Sequence, residues 1–242
     1  MPGWLYEYGR ALGSAILCCI ACGLLGVALV PPALGVELVW RSYGLAWAAA
    51  SLPFAFAVWG VGYSLLVIAL KWLSWSRFKP GSYPFSSVTV VRWAAISYLA
   101  LVANELFMRW VIGMPFINWW YAALGARIGR RVTINTFVLS DWDMITIDDD
   151  VFIGGRATVI GHLGEMNQLK LAPVHIGKRC TVGQESAVFP GVVMKDGAVV
   201  GANSVLPKFT EVGEGEIWGG VPARFIKKRG EDRPVSSAGQ TP

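Results

Sequence analysis

The sequence has few charged residues, few cysteines and few histidines. Of its 242 residues, 15% are charged, four are Cys and two are His. The cysteines have no spacing typical of a zinc site or of a disulfide framework. No basic stretch with interleaved aromatic residues lies outside the apolar segments, so the composition excludes nucleic acid as an expected partner.

The charges that are present are divided unevenly along the chain. Residues 1–124 hold 10 charged side chains and 10 of the 12 tryptophans, whereas residues 125–242 hold 27 charged side chains. Hydrophobic residues make up 54% of the whole sequence. This division predicts a membrane-embedded first half and a water-exposed second half.

Two uncharged stretches of 26 and 29 residues lie in the first half. A helix needs about 20 apolar residues to cross the hydrocarbon core of a bilayer. We therefore predict two membrane-spanning helices, near residues 11–30 and 45–70, within a transmembrane domain of residues 1–92. Pro31 and Pro32 are expected to end the first helix.

Residues 93–124 are apolar but contain Glu105 and Arg109. Their aromatic belt from Trp110 to Tyr121, with polar breaks, is typical of a helical segment that lies at the membrane interface. The alternative is one tilted span from about Val90 to Ile112, in which Glu105 and Arg109 pair four residues apart.

The loop after the second predicted span contains four basic residues and no acidic one. Loops rich in Lys and Arg remain in the cytoplasm. We therefore expect an integral protein of the inner (plasma) membrane, with the N-terminus and the whole second half in the cytoplasm.

An aliphatic residue or Met recurs with a period of six through the second half. Neither the 3.6-residue period of a helix nor the two-residue period of a strand explains this spacing, whereas a hexapeptide period is typical of parallel β-helices. Three-sided coils of about 18 residues would stack these side chains in one buried column. The positions are Ile128, Ile134, Ile147, Ile153, Val159, Ile176, Val182, Val188, Met194, Val200 and Leu206.

Two segments of the second half fall outside the period. Residues 161–174 contain polar side chains that do not suit the buried column, and they are predicted to form an extruded loop. Residues 230–242 are rich in Ser, Gly and Pro and lack apolar side chains for packing, which predicts a disordered tail.

Several ordered motifs carry a family resemblance. The stretches Pro173-Val-His-Ile-Gly177, Val188-Phe-Pro-Gly-Val192 and Gly219-Gly-Val-Pro-Ala-Arg224 resemble those of the hexapeptide-repeat acyltransferases. With the membrane helices, the nearer likeness is to the membrane-embedded acyltransferase-like domains of poly-lysine-synthetase-type peptide synthetases. The resemblance implies membrane α-helices followed by an all-β left-handed parallel β-helix over residues 125–229.

The same resemblance implies a general base. In the family, the base is a histidine shortly upstream of the Pro-Val-x-Ile-Gly stretch, a position that His162 occupies, while His175 is expected on the outer surface. Asp141 and Asp143 lie where relatives present an acidic residue to the acceptor, with coil corners as the alternative. Glu165 is a further substrate-site candidate that could orient His162.

The acyl donor is expected along the coil edge, where the resemblance places backbone groups of Gly201 and Ala202. Lys208, Arg224 and Lys227 would contact the phosphates of coenzyme A; a contact with anionic lipid is the alternative for the basic run that begins at Lys227. No metal is expected, and a carbonic-anhydrase-like site would need three histidines.

The expected function is membrane-anchored acyl transfer from a cytoplasmic thioester, either coenzyme A or a carrier protein, to a hydroxyl or amine. The acceptor would be a small molecule, a lipid-linked compound or a peptide. The alternative is a non-catalytic trimeric scaffold that docks a partner synthetase, because Thr181 and Asn203 stand where soluble members often have Trp and Gly. Either way, the resemblance implies a homotrimer.

Overall fold

The computed structural model describes residues 3–74 and 77–230, so most of the tail predicted over residues 230–242 lies outside the described residues. The chain forms two compact units. The helical unit comprises Met1–Phe78 and Tyr83–Val111, and the repeat unit comprises Lys79–Ser82 and Ile112–Pro242. The repeat unit therefore takes in a short segment from the middle of the helical half.

The helical unit contains α1 (Gly3–Tyr43), α2 (Leu45–Ser74) and α3 (Val88–Leu106), followed by a short 3-10 helix. Two stretches, Ala11–Tyr43 and Leu45–Leu73, are long and apolar enough to cross a membrane, with mean hydropathies of 2.4 and 1.9. Few of their side chains are buried against protein. Apolar surface of this extent is typical of a membrane or partner contact.

The prediction that Pro31 and Pro32 end the first helix is wrong, because α1 continues to Tyr43. Each proline removes only its own backbone donor, and the helix continues on both sides of the pair. The continuation also places Glu37 and Arg41 one turn apart, where their side chains form an ion pair.

Helix α3 packs against α2 within the helical unit. The buried hydroxyl of Tyr63 donates a hydrogen bond to the carbonyl of Leu99, at 3.2 Å. A Cβ at Gly60 would lie 2.6 Å from the ring of Phe107, so the glycine permits this close approach. At its start, α3 is capped by the Ser87 hydroxyl, which accepts from the Val90 N–H.

The described part of the repeat unit contains one α-helix, α4 (Pro115–Ala123), and seventeen strands, the first of which lies partly in the helical unit. The strands are β1 (Gly81–Pro84), β2 (Arg127–Ile128), β3 (Thr133–Ile134), β4 (Ile145–Ile147), β5 (Phe152–Ile153), β6 (Thr158–Val159), β7 (His162–Glu165), β8 (Gln168–Leu171), β9 (Val174–Ile176), β10 (Thr181–Val182), β11 (Ala187–Val188), β12 (Val193–Met194), β13 (Val199–Val200), β14 (Val205–Leu206), β15 (Glu211–Val212), β16 (Glu216–Gly220) and β17 (Ala223–Lys228).

Most of these strands form three parallel sheets that the chain visits in rotation. Thr181 pairs with Val199, Ala187 with Val205 and Val193 with Glu211, which are steps of 18 residues in each sheet. Ten of the eleven period-six side chains are buried, and Ile128 at the first coil is half-buried. The six-residue period thus specifies a single aliphatic column inside a three-sided stack of coils.

Helix α4 covers the first coil of the stack. Its buried residues are Ile117, Trp120 and Tyr121, and the Asn118 amide donates to the Val132 carbonyl at 2.7 Å. The opposite face leaves Phe116 and Trp119 exposed. Segment 93–124 therefore contains most of one helix of the helical unit and all of one helix of the repeat unit.

The segment predicted as an extruded loop over residues 161–174 is more ordered than a loop. Strands β7 and β8 form an antiparallel hairpin, with Met166 and Asn167 at its turn, both with positive φ. Strand β1 completes a three-stranded sheet in the order β1-β8-β7. The hairpin departs from the coil because two antiparallel strands satisfy each other's backbone groups.

Candidate active site

His162 and Asp141 form a hydrogen-bonded pair at the base of the hairpin. The imidazole Nδ1 lies 2.6 Å from Asp141 Oδ2, and the Gly161 N–H donates to the same oxygen at 2.9 Å. The Asp141 side chain is 2% exposed and that of His162 is 29% exposed. A carboxylate accepts hydrogen bonds and does not donate them, so Nδ1 carries a proton, and in the neutral imidazole Nε2 is the nitrogen with the lone pair.

The backbone around Asp141 brings the pair together. Asp141 has a left-handed conformation, with φ 61° and ψ 49°, and a 3-10 helix, Trp142–Met144, follows it. The buried indole of Trp142 donates to the Leu139 carbonyl at 2.8 Å. This bond stabilises the turn at Asp141, whose left-handed backbone conformation asparagine and aspartate adopt more readily than most residues.

Gly161 is a site residue that the sequence patterns did not identify. A Cβ at this position would lie 2.7 Å from the Met144 Cβ and 3.0 Å from the Asp141 Cβ. Only glycine allows the backbone to approach the Asp141 turn so closely. The one sequence signal is a glycine directly before His162, which is too common to be informative.

The structure separates the two aspartates predicted together. Asp141 contacts the imidazole, whereas Asp143 is half-buried in the 3-10 helix that follows. A substrate contact for Asp143 stays a prediction. A substrate contact for Asp141 stays a prediction as well, since the carboxylate oxygen that is resolved in a contact is bonded to the imidazole and to Gly161.

The structure does not place Glu165 beside the imidazole. Side chains alternate along a strand, so His162 and Glu165 lie on opposite faces of β7. The Glu165 carboxylate forms ion pairs with Lys208 and with Lys170, the latter at 3.1 Å. These cations, Lys208 foremost, lower the pKa of Glu165.

The residues predicted for the donor lie in three places. The Gly201 carbonyl accepts from the Ser186 hydroxyl at 2.8 Å, and Ala202 is exposed beside it at a coil turn. Arg224 and Lys227 lie on the terminal strand β17, exposed and half-exposed. Lys208, in the turn between β14 and β15, is paired with Glu165, so its charge is partly neutralised.

The second histidine has a different environment. His175 lies on the outer side of β9, and its Nε2 lies 2.9 Å from Asp148 Oδ2 in an exposed pair. Water competes for both groups there, which weakens the pair. Of the two histidines, only His162 is oriented by a buried carboxylate.

Neither a reactive cysteine nor a metal cluster is found in the described part of the repeat unit. Cys180 is buried, its thiol contacts the Lys195 carbonyl, and burial raises its pKa to about 11. A thiol in this state is not a nucleophile near neutral pH. Nowhere in residues 3–74 and 77–230 do three or more His, Cys, Asp or Glu side chains form a group able to hold a metal ion.

Comparison with known proteins shows four similarities. Residues 173–208 match the family model described as the hexapeptide repeat of succinyl-transferase. The Delta-poly-L-ornithine synthetase of Acinetobacter baumannii (strain AB307-0294) is 27% identical over 186 residues, which are 76% of this chain and 14% of the synthetase. The chain thus spans a small part of that relative's length.

A Bacillus subtilis (strain 168) protein named as an acetyltransferase is 28% identical over 152 residues, or 59% of this chain and 87% of that protein. Among solved structures, a hexapeptide-repeat-containing acetyltransferase of Vibrio cholerae O1 biovar eltor, complexed with acetyl-coenzyme A, is 27% identical with a TM-score of 0.40, over 43% of this chain and 60% of that chain. The predicted likeness to hexapeptide-repeat acyltransferases is confirmed by the sequence relatives.

The match to the synthetase is not limited to the repeats. The repeat unit holds little more than half of the chain, and the match covers 76% of it. The likeness therefore extends into the helical unit.

Proposed function

We propose that this hexapeptide-repeat chain is a membrane-anchored acyltransferase that moves an acyl group from a thioester to a hydroxyl or amine. The observation that carries the proposal is the bond from His162 Nδ1 to the buried carboxylate of Asp141. In the neutral imidazole this bond assigns the lone pair to Nε2, which is then the nitrogen able to take a proton. The names of the sequence relatives, acetyltransferase and polyornithine synthetase, support acyl transfer.

His162 acts as the general base in this proposal. Nε2 takes the proton of the acceptor O–H or N–H while that oxygen or nitrogen attacks the thioester carbonyl carbon. The carbon–sulfur bond then breaks, and the proton on the imidazole passes to the leaving sulfur. Positioned proton transfer of this kind contributes about 10² to 10⁴ in rate, and Asp141 stabilises the transient imidazolium.

The donor is proposed to be an acyl-coenzyme A, lying along the coil edge at Gly201 and Ala202. Arg224 and Lys227 would supply the positive charge for its phosphates. A carrier-protein thioester presents the same pantetheine arm without the nucleotide. Substituting both basic residues would weaken the use of acyl-coenzyme A far more than the use of a carrier thioester.

The assembly proposed is a homotrimer of left-handed coils, as the family resemblance implies. The described coils are few, and a short three-sided stack presents flat outer faces that closed threefold symmetry would cover. Acceptors would be small, lipid-linked or peptidyl. The polyornithine synthetase relative favours an amine among these.

The membrane arrangement is proposed from the chain's path. Lys79–Ser82 belongs to the repeat unit and precedes α3, while Ile112, which follows α3, belongs to it as well. One folded unit lies on one side of a bilayer, so a single pass by α3 would divide it. We therefore propose that α1 and α2 alone span the inner membrane, that α3 packs against α2 without crossing the bilayer, and that the repeat unit is cytoplasmic.

The test is acyl transfer by the purified full-length protein in lipid nanodiscs. Radiolabelled acetyl-coenzyme A is offered with a panel of amines, sugars and membrane lipid, and free coenzyme A is quantified by chromatography. Transfer to any acceptor class that depends on His162 supports the enzyme. A folded protein that neither binds nor consumes the donor, but captures a peptide synthetase, would support the scaffold alternative.

A further inference from the structure

The hairpin that carries His162 has a polar face turned away from the imidazole. Leu163 pairs with Lys170 and Glu165 with Gln168 across the two strands. Cross-strand partners share a face, and alternate residues change face. His162 therefore shares its face with the buried Leu169 and Leu171, and the charged and amide side chains lie on the reverse face.

Two contacts attach this reverse face to distant parts of the repeat unit. Glu165 pairs with Lys208, 43 residues later, in the turn after β14. Gln168 accepts a hydrogen bond from the Ser82 hydroxyl, 86 residues earlier, on β1. Strand β1 also extends the hairpin into a three-stranded sheet.

The hairpin needs such attachments. Each of its strands has four residues, and an isolated two-stranded hairpin is only marginally stable in water. Its two-residue turn places Met166 at φ 49°, in a left-handed region where Asn or Gly is preferred and Met is disfavoured. Anchors beyond the turn are therefore required to hold the hairpin in one position.

We propose that Ser82 and Lys208 are positioning residues for His162, because they clamp the reverse face of its hairpin from two sides. This inference rests on the proposed role of His162 as the base. Lys208 thereby acts on the imidazole through Glu165. This role does not require Lys208 to contact the donor phosphates. The short segment Lys79–Ser82, although it comes from the helical half of the sequence, becomes part of the catalytic unit.

The chain's two histidines make the proposal directly measurable. Full-length protein labelled with ¹⁵N-histidine, in lipid bilayers, gives magic-angle-spinning NMR signals from only two imidazoles, and His175→Gln assigns them. In the native protein, His162 should show a protonated Nδ1 in one sharp signal. In the double variant Ser82→Ala, Lys208→Gln this signal should broaden or split, while the His175 signals stay unchanged.

Two control variants distinguish positioning from general damage. Lys195→Gln removes a comparable exposed ion pair, with Glu211, away from the hairpin, and should leave both imidazoles unchanged. Lys208→Arg retains the charge and should preserve the native His162 signal. An unchanged His162 signal in the double variant would overturn the proposal, whether or not any acyl transfer is ever detected.

Once transfer from acetyl-coenzyme A is measurable, the kcat and KM of the variants provide a second test. Misplacing a catalytic group by about 1 Å can cost about 10² in rate. In the double variant, kcat should fall by about tenfold to a hundredfold, with the KM for acetyl-coenzyme A nearly constant. A raised KM with unchanged kcat would instead assign Lys208 to donor binding and would overturn its positioning role.

Discussion

At the scale of single residues, the Asp141 carboxylate accepts two hydrogen bonds through one oxygen. The Gly161 N–H and His162 Nδ1 both lie within 3 Å of Oδ2. The first bond fixes the backbone at the base of the hairpin and the second fixes the tautomer of the imidazole. Replacing the carboxylate would therefore allow either ring nitrogen to carry the proton.

Asp141→Asn tests this effect with little change in volume. Gly161 and Nδ1 share Oδ2, so an NH₂ placed there loses the Gly161 bond and favours the proton on Nε2, whereas an amide oxygen placed there keeps both bonds. Either orientation removes the negative charge beside the imidazolium, so we expect transfer to fall by about 10² or more, and the His162 NMR signal reports which tautomer is present. Activity within a few fold of the native value would mean that transfer does not need the Asp141 carboxylate.

At the scale of elements, the close packing of the hairpin against the Asp141 turn depends on one backbone approach. The 2.7 Å separation between a Cβ at Gly161 and the Met144 Cβ leaves no room for a methyl group. Overpacking of this kind costs about 1–3 kcal/mol. The geometry of the His162–Asp141 pair thus depends on a glycine, which has no side chain.

Gly161→Ala should lower the free energy of unfolding by about 1–3 kcal/mol, which tryptophan fluorescence during thermal unfolding in mild detergent would detect. Gly155→Ala is the matched control, because a Cβ there would meet its nearest neighbour, Asn135 Nδ2, at 3.8 Å. Equal midpoints for the two variants would show that the turn can move to accept the methyl group.

The coils could be predicted from the sequence, whereas the hairpin could not. The period of six identified the buried column because each coil repeats the same local environment. The hairpin was missed, since its turn, Met166-Asn167, lacks the usual Asn-Gly signal and its third strand comes from more than 80 residues earlier. His162 was found by resemblance, whereas its pairing with Asp141 rather than Glu165 required the register of β7.

At the scale of the whole molecule, the path of the chain determines which parts share a compartment. Segment Lys79–Ser82 lies in the repeat unit, so the loop between α2 and α3 and the end of β17 should face the same side. In the proposed arrangement, the basic loop after α2 places this side in the cytoplasm.

Single cysteines at Ser86 and Gly230, both exposed, test the topology in a variant without native cysteines. A membrane-impermeant maleimide should label both in inverted membrane vesicles and neither in intact spheroplasts. Labelling of the two positions from opposite sides would show that α3 crosses the bilayer, and the proposed arrangement of two spans would fail.

The proposed homotrimer is tested by mass measurement. Native mass spectrometry of the protein released from a mild detergent should give three times the mass of one chain. A stable monomer or dimer that retains transfer activity would show that the protein does not need a threefold assembly.

The central claim, that His162 is the base of an acyl transfer, is tested most directly by comparing His162→Ala with His175→Ala in the same nanodisc assay. Both side chains contact an aspartate, but only that of His162 is bonded to a buried one. We predict that His162→Ala lowers transfer from acetyl-coenzyme A by at least about 10², with the thermal midpoint nearly unchanged, while His175→Ala retains most of the activity. Transfer by folded His162→Ala within a few fold of the native rate would contradict the claim.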